Sequence, residues 1–127
     1  MVMSAQEIAE KSSAGLDAKD AAARSLGIVV QAVSPGTAQL CMPITPDKLN
    51  GHGMCHGGLI FALADTAFAH ACNSYNQRVV AQHCSISFMA PSMPGDVLTA
   101  QAHEVHQAGR SGIYDIEIRN RSGEVIA

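Results

Sequence analysis

Asn50 to Asn73 reads NGHGMCHGGLIFALADTAFAHACN, a glycine- and histidine-rich loop that runs straight into a segment apolar on every side. From Leu59 to Cys72 only Asp65, Thr66 and His70 are polar. A helix that is apolar all round is normally a buried one, so the stretch predicts a central core helix. Gly57 and Gly58 just ahead of it permit a tight turn and a close approach of backbone to a ligand. Asp65 is the anomaly, because an ionised carboxylate buried without a partner is costly or takes up a proton. Either a local twist of the helix exposes it, or it is held in a partly dry cleft as a base or nucleophile. The second account is preferred, since a carboxylate has little structural reason to sit there.

The loop supplies the complementary chemistry. The first N–H groups of a helix have no internal acceptors and lie at the positive end of its dipole. They suit a developing oxyanion, and Gly57, without a side chain, lets a carbonyl oxygen reach its N–H. Asn50 and His56 are polar side chains placed to orient a ligand there. The chain has no G-x-S-x-G elbow and no serine or cysteine with a recognisable base. A carboxylate and an N–H donor suffice for an activated acyl group such as a thioester, by water activation or by direct attack through an anhydride. A peptide amide would want a metal or a full triad. His52, Cys55, His56 and Asp65 offer metal ligands, but H-x-x-C-H with an acid nine residues on matches no common zinc spacing, so no metal and no other cofactor is expected. The plain reading of His52 is a loop hydrogen bond, and of Cys55 a small buried filler.

Outward from this stretch, 127 residues with 47% hydrophobic content fit a single domain over residues 1–127, of which 1–26 form an N-terminal helical segment. Eight Lys+Arg against 11 Asp+Glu, with no basic block, argue against a nucleic-acid partner. The first residues carry Glu7 and Glu10 and no long apolar core, and no later run reaches membrane-spanning length, so a soluble cytoplasmic protein is expected. Cys41, Cys55, Cys72 and Cys84 form no C-x-x-C pair and read as reduced thiols, mostly in the core.

Ala5 to Leu26 has helical spacing with a break around Ser12 to Gly15, Asp17 as a cap for the second piece and Gly27 as its end. Ile28 to Val33 and Thr37 to Ile44 predict a hairpin about Ser34-Pro35-Gly36, with Pro43 at a strand end or unpaired edge. Beyond the helix, Val79 to Met89, Val97 to Gln107 and Ile113 to Arg119 alternate as strands, and Glu124 to Ala127 follows a last turn. Helix, hairpin, long helix and antiparallel strands in that order predict an α+β fold with one sheet wrapped on one helix.

NGHGMCHGGLIFALADTAFAHACN, the turn FMAPSMPGD at Phe88 to Asp96 and HQAGRSGIYDIEI at His106 to Ile118 together resemble the hotdog-fold acyl-CoA thioesterases of the phenylacetic acid degradation (PaaI) type, from about Ala22 onward. The resemblance implies hydrolysis of aryl- or phenylacetyl-CoA thioesters, hydroxylated ones included, by a homo-oligomer of hotdog dimers, a dimer of dimers or homotetramer, without metal or organic cofactor. It gives Asp65 as the carboxylate, Gly57 as the N–H donor to the thioester carbonyl, and His56 and Asn50 as the groups that position thioester and water. Two features depart from the family. Ala81 stands where some relatives have a serine or threonine to orient water, and related chains continue the last strand beyond the equivalent of Ala127. A non-catalytic acyl-CoA-binding hotdog module and a hotdog dehydratase are the alternatives. A binder has no use for Asp65, whereas a dehydratase would use a histidine such as His56.

Arg110, with Gly58 and with Ser111 and Gly112 of the same turn, is a candidate for substrate contact, Arg110 meeting coenzyme A phosphates alongside Arg78 and Lys48. A solvated loop charge is the competing account. His70, His83, His103 and His106 read as surface or satisfied core groups. Few aromatic residues are available to stack on an acyl ring. Gly57 and Asp65 are eight residues apart, about 12 Å along a helix at ~1.5 Å per residue, while reacting atoms approach to roughly 3–3.5 Å. One chain's Gly57 and Asp65 therefore cannot serve the same carbonyl, which predicts active sites shared between two chains related by a two-fold axis.

Overall fold

A computed structural model describes residues 2–127. Ser4 caps helix α1 (Ala5–Lys19): its hydroxyl accepts from the Glu7 N–H at 3.1 Å, and the Glu7 carboxylate accepts from the Ser4 N–H at 3.2 Å. The break expected at Ser12 to Gly15 falls instead at Asp20. Ser13 stays helical because its hydroxyl is buried against His70, and Asp20, not Asp17, takes the Ala23 N–H at 3.0 Å to start α2 (Ala21–Leu26). Gly27 ends α2 at φ 73°, a left-handed conformation that favours glycine.

Four strands form one antiparallel sheet in the order β1 (Val29–Ser34), β2 (Thr37–Pro43), β3 (Val97–Ala108) and β4 (Ser111–Arg119). Alternation along β2 turns Ala38, Leu40 and Met42 inward, and Leu98, Ala100 and Ala102 of β3 with Ile118 of β4 continue that apolar face. Pro43, paired with Val97, closes β2 at the position where a missing ladder donor costs least. Helix α3 (Gly57–Cys72) lies across the inner face and buries Ile60, Leu63, Ala67 and Ala71 against it. This is the α+β arrangement that the element order predicts.

Burial of α3 is one-sided, contrary to the all-round burial read from its hydropathy. At about 100° per residue, Gly58, Phe61, Ala62, Asp65 and Ala69 share the face turned away from the sheet, where they are exposed or half-buried. Composition cannot separate a face covered by the chain's own sheet from one left for another surface.

The second difference lies at Val79 to Met89, which alternates like a strand yet joins no ladder. Val79 is held to the side chain of Asn73 by bonds of 2.9 and 3.0 Å, and the Met89 and Ala90 N–H groups donate to the Ile126 carbonyl at 2.7 and 3.3 Å. Between these ties the backbone of 80–88 makes no hydrogen bond among the described residues. Its neighbour on the sheet side is the C-terminal segment, where the Ile126 N–H donates to Ile118 at 2.8 Å, and its other side has no strand to pair with. The last segment is thus seated between β4 and Met89.

Candidate active site

A short, internally braced loop delivers the chain to the N-terminus of α3. Leu49 and Cys55 bridge across its base, the His56 N–H donates to the Lys48 carbonyl at 2.8 Å and the Cys55 N–H to the Ser92 carbonyl at 2.8 Å. Asn50 braces the tip: its side-chain carbonyl accepts from the His52 N–H at 2.8 Å and from Met54 at 3.2 Å. That oxygen is therefore committed to the loop, and only the amide nitrogen is left to meet a ligand.

His56 is the N-cap of α3, and its Nδ1 accepts from the Gly58 N–H at 3.2 Å. An accepting Nδ1 places the proton of the neutral ring on Nε2, which leaves a donor directed away from the cap. The Leu59 and Ile60 N–H groups are taken by the His56 carbonyl at 2.9 and 3.2 Å. Of the first N–H groups of the helix, Gly57's has no acceptor among the described residues. Helix geometry thus leaves the Gly57 N–H uncommitted at the positive end of the dipole and takes the Gly58 N–H out of use.

An open groove of about 560 Å³ lies over this donor, lined by His56, Gly57, Gly58, Phe61, Ala62, Ile86 and Phe88. Sequence reading found the three residues of the helix entrance and missed the other four. Phe61 and Ala62 were discoverable, since they follow Gly57 by four and five residues on the helix. Ile86 and Phe88 arrive from the segment after the helix, a tertiary contact with no local signal. A Cβ on Gly57 would stand 3.1 Å from Cζ of Phe88, so the ring rests directly on the glycine. Few aromatics are available, as the composition implies, and two of the three phenylalanines line the groove.

Asp65 stands on the outer face of the same helix, exposed, and outside the groove. Desolvation by its surroundings, followed by repulsion from the carboxylate of Asp20, raises its pKa above the usual 3.8. His70, on the inner side, is buried with Nδ1 2.6 Å from the Ser13 hydroxyl. Burial lowers its pKa below the usual 6.5, against the opposing pull of Asp17 and Asp20. It is a satisfied core histidine, while His83, His103 and His106 are exposed.

Lys48 cannot serve a phosphate: it is 5% exposed and donates to Thr45 at 2.8 Å. Arg78 and Arg110 have no ion pair among the described residues. Arg110, Ser111 and Gly112 sit at the β3–β4 turn, beyond Glu104, whose carboxylate accepts from Tyr75 past the end of α3 at 2.9 Å. Within one chain that turn lies at the opposite end of the helix from Gly57. Cys55 is buried with its thiol directed to the His56 carbonyl at 3.7 Å, burial raising its pKa more than Lys48 lowers it. No three His, Cys, Asp or Glu side chains converge among the described residues, and no helix there is long and apolar enough to cross a membrane.

Comparison with known proteins places this architecture. Residues 52–127 match the family model for the thioesterase superfamily. The chain is 48% identical over 108 residues to the acyl-coenzyme A thioesterase PaaI of Escherichia coli K12, covering 85% of this chain and 77% of that protein. The structure of the E. coli PaaI protein from the phenylacetic acid degradation operon superposes with a TM-score of 0.95 at 43% identity, over 97% of this chain and 89% of that one. A hypothetical thioesterase of Streptococcus pneumoniae TIGR4, solved with coenzyme A, superposes with a TM-score of 0.74 at 27% identity, over 78% of this chain and 77% of that one. The family match over the helix and the following strands, together with the sheet wrapped on α3, shows that the chain belongs to the thioesterase superfamily, as a hotdog-fold thioester hydrolase of the PaaI type.

Proposed function

We propose that this protein hydrolyses aryl-acyl-coenzyme A thioesters, phenylacetyl-CoA and its ring-hydroxylated forms among them, in the cytoplasm and without metal or organic cofactor. The observation that carries the reading is the uncommitted Gly57 N–H at the floor of an apolar groove. A thioester carbonyl oxygen accepts from that N–H while the acyl group lies along Phe61, Ala62, Ile86 and Phe88. Asp65, ionised, either takes the proton of an attacking water or attacks the carbonyl carbon itself. The C–S bond breaks and the sulfur leaves as the coenzyme A thiolate, which takes up a proton; the acid forms directly when water attacks, and by a water molecule cleaving the Asp65–acyl anhydride when Asp65 attacks. His56, through Nε2–H, and the Asn50 amide position the thioester and the water. The E. coli relative's activity and the coenzyme A held by the S. pneumoniae structure support the substrate class.

The working unit in this reading is a dimer. Gly57 opens α3 and Asp65 lies eight residues on, about 12 Å along the axis at ~1.5 Å per residue, so a given groove draws on the partner's Asp65. Two features support the association. Among the described residues the outer face of α3 is uncovered, and residues 80–88 present unbonded backbone with Val80 78% exposed, an edge suited to antiparallel pairing with its own copy. Antiparallel α3 helices also carry the partner's β3–β4 turn, with Arg110, Ser111 and Gly112, toward the groove mouth, where Arg110 meets coenzyme A phosphates. Val105 and Ile113, exposed on that hairpin, offer apolar surface for pairing dimers into a tetramer.

The test is thiol release, followed with a colour reagent, over a panel of aryl- and alkyl-acyl-CoA thioesters. Faster turnover of the aryl members is expected. Tight coenzyme A binding with no thiol released from any member would identify a binding module instead.

A further inference from the structure

Resting on the thioesterase reading above, we propose that Phe88 and Phe61 form the aromatic wall that selects the acyl group, with Phe88 seated on Gly57 so that selection and carbonyl activation meet at one glycine. The chain has three phenylalanines, two tyrosines and no tryptophan, and the structure divides them by position. The hydroxyls of Tyr75 and Tyr114 both donate to the Glu104 carboxylate, at 2.9 and 3.2 Å. Phe68 packs edge-on against Tyr114 with ring centroids 5.6 Å apart and an interplanar angle of 79°. These three are occupied with one another. Phe61 and Phe88 are the aromatics left at the Gly57 end, and both line the groove.

Phe88 is 52% exposed, on a segment whose backbone makes no hydrogen bond from 80 to 88 among the described residues. A ring left in water forgoes the free energy of burial, so its position calls for a partner that arrives later. The ring edge nevertheless has a defined seat: Cζ, Cε1 and Cε2 lie 3.1, 3.4 and 3.5 Å from where a Cβ of Gly57 would be. A side chain on Gly57 would therefore act twice, crowding a carbonyl's approach to the N–H and pushing the ring off its seat by a few tenths of an ångström. The groove's one ionisable lining side chain, His56, is engaged in capping. What remains is an uncharged, apolar slot with a phenyl ring on the helix and another on the facing segment, which fits a flat acyl group in offset or edge-on contact. An alkyl chain gains burial there but not the ring-to-ring geometry.

The experiment compares kcat/KM for phenylacetyl-CoA and butanoyl-CoA in the wild type, Phe88→Leu, Phe61→Leu, Gly57→Ala and the Gly57→Ala/Phe88→Leu double variant. Leucine keeps apolar bulk and removes the ring, so the aryl-to-alkyl ratio should fall about fivefold in each leucine variant, the size of an aromatic pair's contribution beyond buried area. Gly57→Ala keeps the N–H but displaces the ring, so its loss on the aryl substrate should be smaller in the Phe88→Leu background than in the wild type. A wild-type aryl preference that survives both leucine substitutions within twofold overturns this inference and leaves the thioesterase reading intact. A wild type with no aryl preference overturns the substrate reading, and the aromatic wall with it.

Discussion

The hydroxyl of Ser13 on α1 lies 2.6 Å from Nδ1 of His70 on α3, and both side chains are buried. This bond fastens the N-terminal helix to the central one at a point where α1 has little else to offer, since Ala9 and Ser13 are its buried residues. Ser13→Ala leaves a buried ring nitrogen unpaired and should cost about 1–3 kcal/mol in urea unfolding. Because burial holds the folded-state pKa of His70 below the usual 6.5, the unfolded chain binds the proton more readily. The stability that His70 contributes is therefore present above pH 6.5 and lost as pH falls toward the folded value. His70→Gln should flatten that acid dependence, and an unchanged profile would contradict the assignment.

Asp65 has the opposite sign. Its folded pKa is raised by desolvation and then by Asp20, so the ionised form is the disfavoured one and stability is lost as pH rises through the folded value. Asp65→Asn should have a midpoint temperature at or above that of the wild type. Its turnover should drop by about 10²- to 10⁴-fold, the range of general-base catalysis, with substrate binding retained. The wild-type rate should fall on acidification with an apparent pKa above 3.8. A variant rate within a few-fold of wild type would remove Asp65 from the mechanism.

The unpaired segment makes a prediction about assembly. Adjacent residues of a strand direct their N–H groups to opposite edges, so one of Cys84→Pro and Ser85→Pro should delete a donor on the free edge. Neither N–H is bonded among the described residues, and the fold should survive both substitutions. Analytical ultracentrifugation should show a dimer or larger for the wild type and a shift to monomer for at least one variant. Two variants that assemble like the wild type would assign the interface elsewhere.

What could be read in the sequence was what local pattern encodes. The helix entrance at Gly57, the hairpin of β1 and β2 and the end of α2 at Gly27 each have their determinants within a few residues. The helix break lies at Asp20 because Ser13 is held helical by a partner 57 residues away, and Lys48 is withdrawn from any phosphate because it is buried with its ammonium on Thr45. The outer face of α3 and the strand-like run at Val79 to Met89 carry apolar patterns that the isolated chain leaves unsatisfied. Phe88 escaped notice as a site residue because only the folded chain lays it on Gly57, 31 positions earlier in the sequence.

The shared site is the account's central claim, and subunit mixing tests it most directly. Asp65→Ala and His56→Ala chains, each confirmed folded and nearly inactive, are exchanged under conditions that dissociate and re-form dimers. If a groove uses its own His56 and Gly57 with the partner's Asp65, each mixed dimer contains one groove with both residues intact and one that lacks both. Thioesterase activity should then rise on mixing toward about a quarter of the wild-type value, half of the chains being in mixed dimers and half of their grooves intact. Mixed dimers shown to be present, with activity no greater than the sum of the two single variants, would contradict it.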